Sequence, residues 1–205
     1  MELKSFQHLS VVLASSATWR SEALTRLGIP HQCVAPAYAE PAYTQGHLEE
    51  HVMQLALGKA RSVTAPGSVV IGLDQMIEIE KKVLGKPGSD EAALAQLQLL
   101  NGKKHRLVNG LAVVYGKQEI LQWDESFLTM RSLSQGELEY YLQKDQPFDC
   151  AGSYQIESLG SSLFESVEVK DLGSVLGLPG ILILNALRQL GYSNLLPLKL
   201  PESEG

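Results

Sequence analysis

Apolar positions along the chain alternate between short uninterrupted runs and helical stripes. Val11 to Ala14 is an apolar run that reads as a buried strand, and it empties into Ser15, Ser16 and Thr18 before a helix begins. On that helix Trp19, Ala23, Leu24 and Leu27 recur at helical spacing, which assigns Trp19 to the core, and Gly28 with Pro30 ends it. A second helix is expected from about Gly46 to Thr64, with Val52, Leu55, Ala56, Ala60 and Val63 on one face. Val69 to Ile71 then predicts a buried strand with Asp74 leaving its end, and Ile77, Ile79 and Val83 lie beyond it in a hairpin. Ser89-Asp90-Glu91 opens a third helix that runs through Leu100 and closes at Asn101-Gly102.

The second half continues in the same alternation. Arg106 to Tyr115 and Glu119 to Arg131 read as paired long strands joined at Gly116-Lys117. Ser134 and Glu137 form a capping box for a helix carrying Leu138, Tyr141 and Leu142. After Cys150-Ala151-Gly152-Ser153 come a loop, a short strand at Ser162 to Phe164 and a last helix near Pro179 to Leu190, striped by Ile183, Leu187 and Leu190. Pro201 to Gly205 is a polar tail expected to fray. Strands alternating with helices place the chain in the α/β class.

Composition narrows the function classes. The 205 residues are 44% hydrophobic, enough for a real core, and a net charge of −6 disfavours a general nucleic-acid partner. The first apolar run is too short to span a membrane and lacks a charged front, so a cytoplasmic protein with no membrane partner is expected. Cys33 and Cys150 stand apart from any metal or redox spacing and read as reduced, part-buried packing residues.

Chemistry enters at the strand-to-helix junction. A strand that opens through small hydroxyl residues into a helix aims backbone N–H groups at an anion, and Arg20 falls in the first turn, where it can reach the same anion. A capped ordinary helix start has the same local pattern. Leu13-Ala14-Ser15, Trp19-Arg20, Ala35-Pro36 with Glu40, Lys59-Ala60, Ile71-Gly72 with Asp74-Gln75, Gly85-Lys86-Pro87 and Gly177-Leu178-Pro179 share order and spacing with one known pattern. From about Val11 to Gly191 the chain resembles the Maf family of nucleotide pyrophosphatases. Trp19, Cys150-Ala151-Gly152-Ser153, Glu157 and Leu163-Phe164-Glu165 look like its 7-methyl-GTP branch.

The resemblance implies a single Maf-like domain over residues 1–205. It also implies an elongated mixed β-sheet flanked by helices, with two lobes around a nucleotide cleft. It implies attack of water on the α-phosphorus of a nucleoside triphosphate, giving the monophosphate and pyrophosphate with Mg²⁺ or Mn²⁺, and it is compatible with a homodimer. Arg20, Lys59 and Lys86 suit neutralisation of a triphosphate, with Ser15 on the substrate side. Asp74 and Glu40 suit a divalent cation, and Asp74 can orient or deprotonate water; Asp74, Glu40 and Lys86 are the catalytic set. Glu157 can accept from the N–H donors of a guanine edge, while Tyr154 or Trp19 can offer an aromatic face to a cationic base.

Departures from the family pattern bear on activity. Ala17-Thr18 stands where the family has Ser-Pro, Ser21 replaces a second Arg, Ala39 an acidic residue and Leu73 a Ser. These changes leave a second class open, a nucleotide-binding module that keeps affinity and has lost turnover. His47 and His51 are four apart near a helix start, but without a third ligand they read as a solvated helix face rather than a zinc site.

Overall fold

Three long strands carry the architecture. The computed structural model describes residues 3–6 and 9–196, so the tail at Pro201 to Gly205 lies outside the described residues. In chain order the elements are β1 (Lys4–Ser5), β2 (Val11–Ala14), α1 (Thr18–Arg26), β3 (Gln32–Cys33), α2 (Leu48–Arg61), β4 (Val69–Ile79) and β5 (Lys82–Leu84). There follow α3 (Asp90–Leu100), β6 (Lys104–Tyr115), β7 (Gln118–Met130), α4 (Gln135–Asp145), β8 (Phe164–Glu168), α5 (Gly180–Gln189) and β9 (Tyr192–Ser193). The main sheet has seven strands in the order β3-β2-β4-β6-β7-β8, with β5 also on β4. It is mixed: β2 lies parallel to β3 and β4, and the other pairs are antiparallel. β1 and β9 form a small parallel pair of their own.

Alternation along β4 distributes the core. Val69, Ile71 and Leu73 face a cluster with Leu24 of α1 and Ile183, Ala186 and Leu187 of α5. Further along, Ile77 and Ile79 face a second cluster with Leu97 and Leu100 of α3 and Leu138 and Tyr141 of α4. Val70 turns to the opposite face, against Ala56 and Ala60 of α2. Two cores at opposite ends of one long sheet are the physical basis of two lobes, with α2 spanning the other face.

Two glycines bring α2 unusually close to the sheet. A Cβ at Gly72 would overlap the carbonyl oxygen of Ala56, and one at Gly110 would overlap that of Val52. The helix backbone therefore rests on the β4 and β6 backbones at those points, which fixes what its side chains can reach.

Several sequence expectations need correction. Asp74 does not leave a strand end: β4 continues to Ile79, because β6 pairs with it from Val70 to Glu78 without a break. Trp19 is 49% exposed rather than core, since α1 fully buries only Leu24. The late strand is Phe164–Glu168, and Leu159–Leu163 before it forms a 3₁₀ helix. Cys33 is exposed rather than part-buried, and both cysteines are free. His51 is half-buried, its ring edge-on to Tyr43 at 5.3 Å, rather than on a solvated face. The other expected helices and the long β6–β7 hairpin form as read.

Candidate active site

One edge of β4 is occupied by two different neighbours. β2 covers Val69 to Gly72, β5 covers Ile77 to Ile79, and among the described residues Leu73 to Met76 between them have no strand partner on that edge. Ser15 follows Ala14, the partner of Gly72, and Gly85-Lys86 follows Leu84, the partner of Ile77. The register thus feeds both predicted phosphate segments toward the same gap from opposite directions.

Asp74 stands in this gap on the α2 face. It is 6% exposed, and its Oδ1 accepts a hydrogen bond from Lys59 Nζ at 2.5 Å. The same ammonium lies 3.0 Å from Glu40 Oε1, on the segment between β3 and α2. Asp74 Oδ2 is buried with no partner among the described residues. Burial is the main influence on the Asp74 carboxyl and pushes its pKa up; Lys59 opposes this, Glu40 adds to it and Arg20 opposes it.

Arg20 completes the cluster from the first turn of α1. Burial draws its pKa down, and the charges of Asp74 and Glu40 act against that shift. Its Nε is buried without a partner among the described residues, and its guanidinium packs on Gly177, where a Cβ would stand 3.0 Å from Nη2. The φ of +71° at Gly177 independently favours glycine there. The structure therefore brings Arg20, Glu40, Lys59 and Asp74 together, from α1, a loop, α2 and β4.

The remaining predicted residues sit around this cluster. Ser15 is buried, and its Oγ accepts from Ala17 N at 3.2 Å. Ala17 itself caps α1 without a side-chain hydrogen bond, so the first N–H groups of that helix have no hydroxyl cap. Lys86 and Glu157 are exposed, and the charges of both act on Cys150, whose pKa is raised chiefly by burial. No described contact joins either of them to Asp74. Tyr154 is buried against His105 and Phe164, which removes it as a ligand face, whereas Trp19 is free to be one.

The departures find structural roles. Ser21 Oγ donates to His31 Nε2 at 2.8 Å, because His31 Nδ1 must donate to the Ile29 carbonyl at 2.9 Å. Leu73 is fully buried in the α1/α5 core.

A polar belt on the opposite face escaped the sequence reading. Gln75, Asn109 and Asp124 are direct cross-strand neighbours on β4, β6 and β7. Gln75 Nε2 donates to Asn109 Oδ1 at 3.0 Å and to the Ser174 carbonyl at 2.9 Å. Asn109 Nδ2 donates to Asp124 Oδ1 at 3.0 Å and to the same carbonyl at 2.9 Å, and Ser174 Oγ donates to Asp124 Oδ2. The belt ties the turn before Gly177 to the sheet, and so sets the surface on which Arg20 packs. Its sequence signal was polar residues at buried positions of otherwise apolar strands.

A family model described as Maf-like protein matches residues 10–190. The chain belongs to the Maf family. This Maf protein is 39% identical over 188 residues to a 7-methyl-GTP pyrophosphatase of Pseudomonas savastanoi pv. phaseolicola, covering 90% of this chain and 98% of that one. It is 35% identical over 190 residues to the 7-methyl-GTP pyrophosphatase of Chromohalobacter salexigens, with the same coverage of both chains. For the Bdellovibrio bacteriovorus protein of that name the figures are 36% over 171 residues, 82% of this Maf chain and 90% of the relative. No described helix of this Maf protein is long and apolar enough to cross a membrane.

Proposed function

We propose that this Maf protein hydrolyses a nucleoside triphosphate to the monophosphate and pyrophosphate, with 7-methyl-GTP as substrate, clearing modified nucleotides from the cytoplasmic pool. The observation that carries the reading is Asp74: a carboxylate buried in the β4 edge gap, held at one oxygen by Lys59 and, among the described residues, unpartnered at the other. Burial makes it a stronger base than an ordinary aspartate, which suits removal of a proton from the attacking water. Arg20 and Lys59 supply positive charge beside it, where developing charge on the leaving pyrophosphate needs compensation. The uncapped start of α1 offers N–H groups to the phosphates, and Lys86, two residues beyond the end of β5, would supply a further cation to them.

The donor set fits a divalent cation. Lys59 occupies one oxygen each of Asp74 and Glu40, leaving Asp74 Oδ2 and the second oxygen of Glu40 to hold Mg²⁺ or Mn²⁺. Among the described residues no group of three or more His, Cys, Asp or Glu is placed to hold a metal. Such an ion would polarise a phosphoryl oxygen and make bound water easier to ionise. Trp19 offers an exposed aromatic face to a cationic methylated base, and Glu157 is free to accept from its N–H edge.

Pyrophosphate release across canonical and modified triphosphates, with Mg²⁺ or Mn²⁺, tests the proposal. Turnover is expected to be greatest with 7-methyl-GTP and to be lost in Asp74→Asn and Lys86→Ala while both variants remain folded. Tight binding without turnover in the wild type would instead select the binding module. Glu157→Gln is expected to compress the preference for 7-methyl-GTP over UTP; an unchanged ranking would remove Glu157 from base selection.

A further inference from the structure

Glu40 has a positioning problem that its ion pair does not solve. The segment from Val34 to Gly46 contains neither helix nor strand, the Glu40 side chain is 51% exposed, and Pro36 and Pro41 cannot donate backbone hydrogen bonds. An exposed carboxylate on such a segment samples many positions relative to Lys59 unless packing holds it.

Gly58 supplies the packing. It lies inside α2, where glycine is the worst choice after proline for helix stability, immediately before Lys59. A Cβ built at Gly58 would overlap Cζ and Cε2 of Tyr38 and stand 2.5 Å from Cε1, so the phenolic end of the ring occupies the space a side chain would need. Two residues beyond Glu40's flanking proline the segment is pinned again: Tyr43 packs against Leu48, Val52 and Val108, and its hydroxyl donates to the Gly46 carbonyl at 2.8 Å. Glu40 thus hangs between two anchored tyrosines, and the first rests on the residue next to its ionic partner.

We propose that Tyr38 is a positioning residue, docked on the bare Cα of Gly58 so that the Glu40 carboxylate is held over Lys59. The inference rests on the assignment of Glu40 to the site. Gly58→Ala forces a methyl group into the ring position and opens the clasp without removing any polar group. The expected result is a kcat lower by about tenfold, the scale on which small misplacements of catalytic groups act, with a higher half-saturating Mg²⁺ concentration and an unchanged or higher Tm. Tyr38→Ala, which leaves α2 untouched, is expected to lower kcat and raise the half-saturating Mg²⁺ concentration in the same way, and neither substitution should lower kcat further in a Glu40→Gln background. Unchanged kcat and Mg²⁺ dependence in both single variants, or a full additional loss on top of Glu40→Gln, would overturn the proposal.

Chymotryptic cleavage at Tyr38 and Tyr43 separates this from a failure of the functional reading. Gly58→Ala is expected to accelerate cleavage there several-fold in the folded protein, whether or not Glu40 proves to matter for turnover. Full turnover in Glu40→Gln would discard the role of Glu40; an unaltered cleavage rate in Gly58→Ala would discard the clasp.

Discussion

Asp74 and Gln75 are adjacent on β4 and face opposite sides of the sheet, and the two sides treat their polar groups in opposite ways. On the Gln75 side both amide hydrogens of Gln75, both of Asn109 and both oxygens of Asp124 are engaged. On the Asp74 side mixed charges are gathered with only Glu40 exposed, yet the buried Asp74 Oδ2 and Arg20 Nε have no partner among the described residues. A satisfied network fixes geometry, whereas buried groups left unpaired cost stability and are retained where a ligand completes them. The contrast places structural polarity and chemical polarity back to back on one strand.

The strongest way to break this contrast is Asp74→Asn. Turnover is expected to fall by roughly 10²–10⁴-fold, the range for a lost general base, while stability at neutral pH does not fall. The sign follows from the raised pKa: the folded protein binds the Asp74 proton more tightly than the unfolded chain, so the ionised group weighs against folding as pH rises through that value. A large drop in denaturation midpoint would show that Asp74 is structural and that the two faces do not differ. Asp124→Ala should do the converse. It leaves one Asn109 Nδ2 hydrogen and the Ser174 Oγ without their acceptor in the interior, and urea unfolding should report a loss of about 2–5 kcal/mol, with a smaller effect on turnover per folded molecule than Asp74→Asn. Equal losses of turnover from both variants would merge the two faces into one site.

The second lobe sharpens the comparison through pH. His105 is buried with its Nε2 on the Tyr154 hydroxyl at 3.0 Å, and burial draws its pKa down from 6.5 to about 4. Its contribution is complete above pH 6.5 and is lost as pH falls toward 4, where the unfolded chain takes up a proton that the folded one refuses. The difference corresponds to about 3 kcal/mol. Urea midpoints between pH 7 and 4 should therefore decline more steeply for the wild type than for His105→Gln; parallel slopes would contradict the burial argument. The Asp74 contribution runs the other way, gaining as pH falls.

The helices were legible because their signals are local. Ser89 accepts from Ala92 N at the start of α3, and Ser134 and Glu137 form the capping box of α4, as their spacing indicated. The paired run from β6 into β7 was equally plain, because alternating apolar positions on both sides of Gly116 fit a hairpin. The site residues were legible only as types at spacings shared with a family. Arg20, Glu40, Lys59 and Asp74 do converge, while Lys86 and Glu157, whose charges both act on Cys150, have no described link to Asp74.

Residue order alone determined which segments form helices and long strands, since burial of one face leaves a period of 3.6 or 2 in the chain itself. Tertiary structure decided everything that depends on who lies beside whom. Asp74 looked like the end of a strand because hydropathy breaks there, but pairing with β6 carries β4 onward and turns the polar break into a gap between β2 and β5. Trp19 shares the helical stripe of Leu24 yet stays in solvent, because a stripe states which side of a helix is apolar and not how far its neighbours extend along it. The contact of Tyr38 with Gly58 leaves no periodic trace at all, because it joins a loop to a helix twenty residues further along the chain through the absence of a side chain.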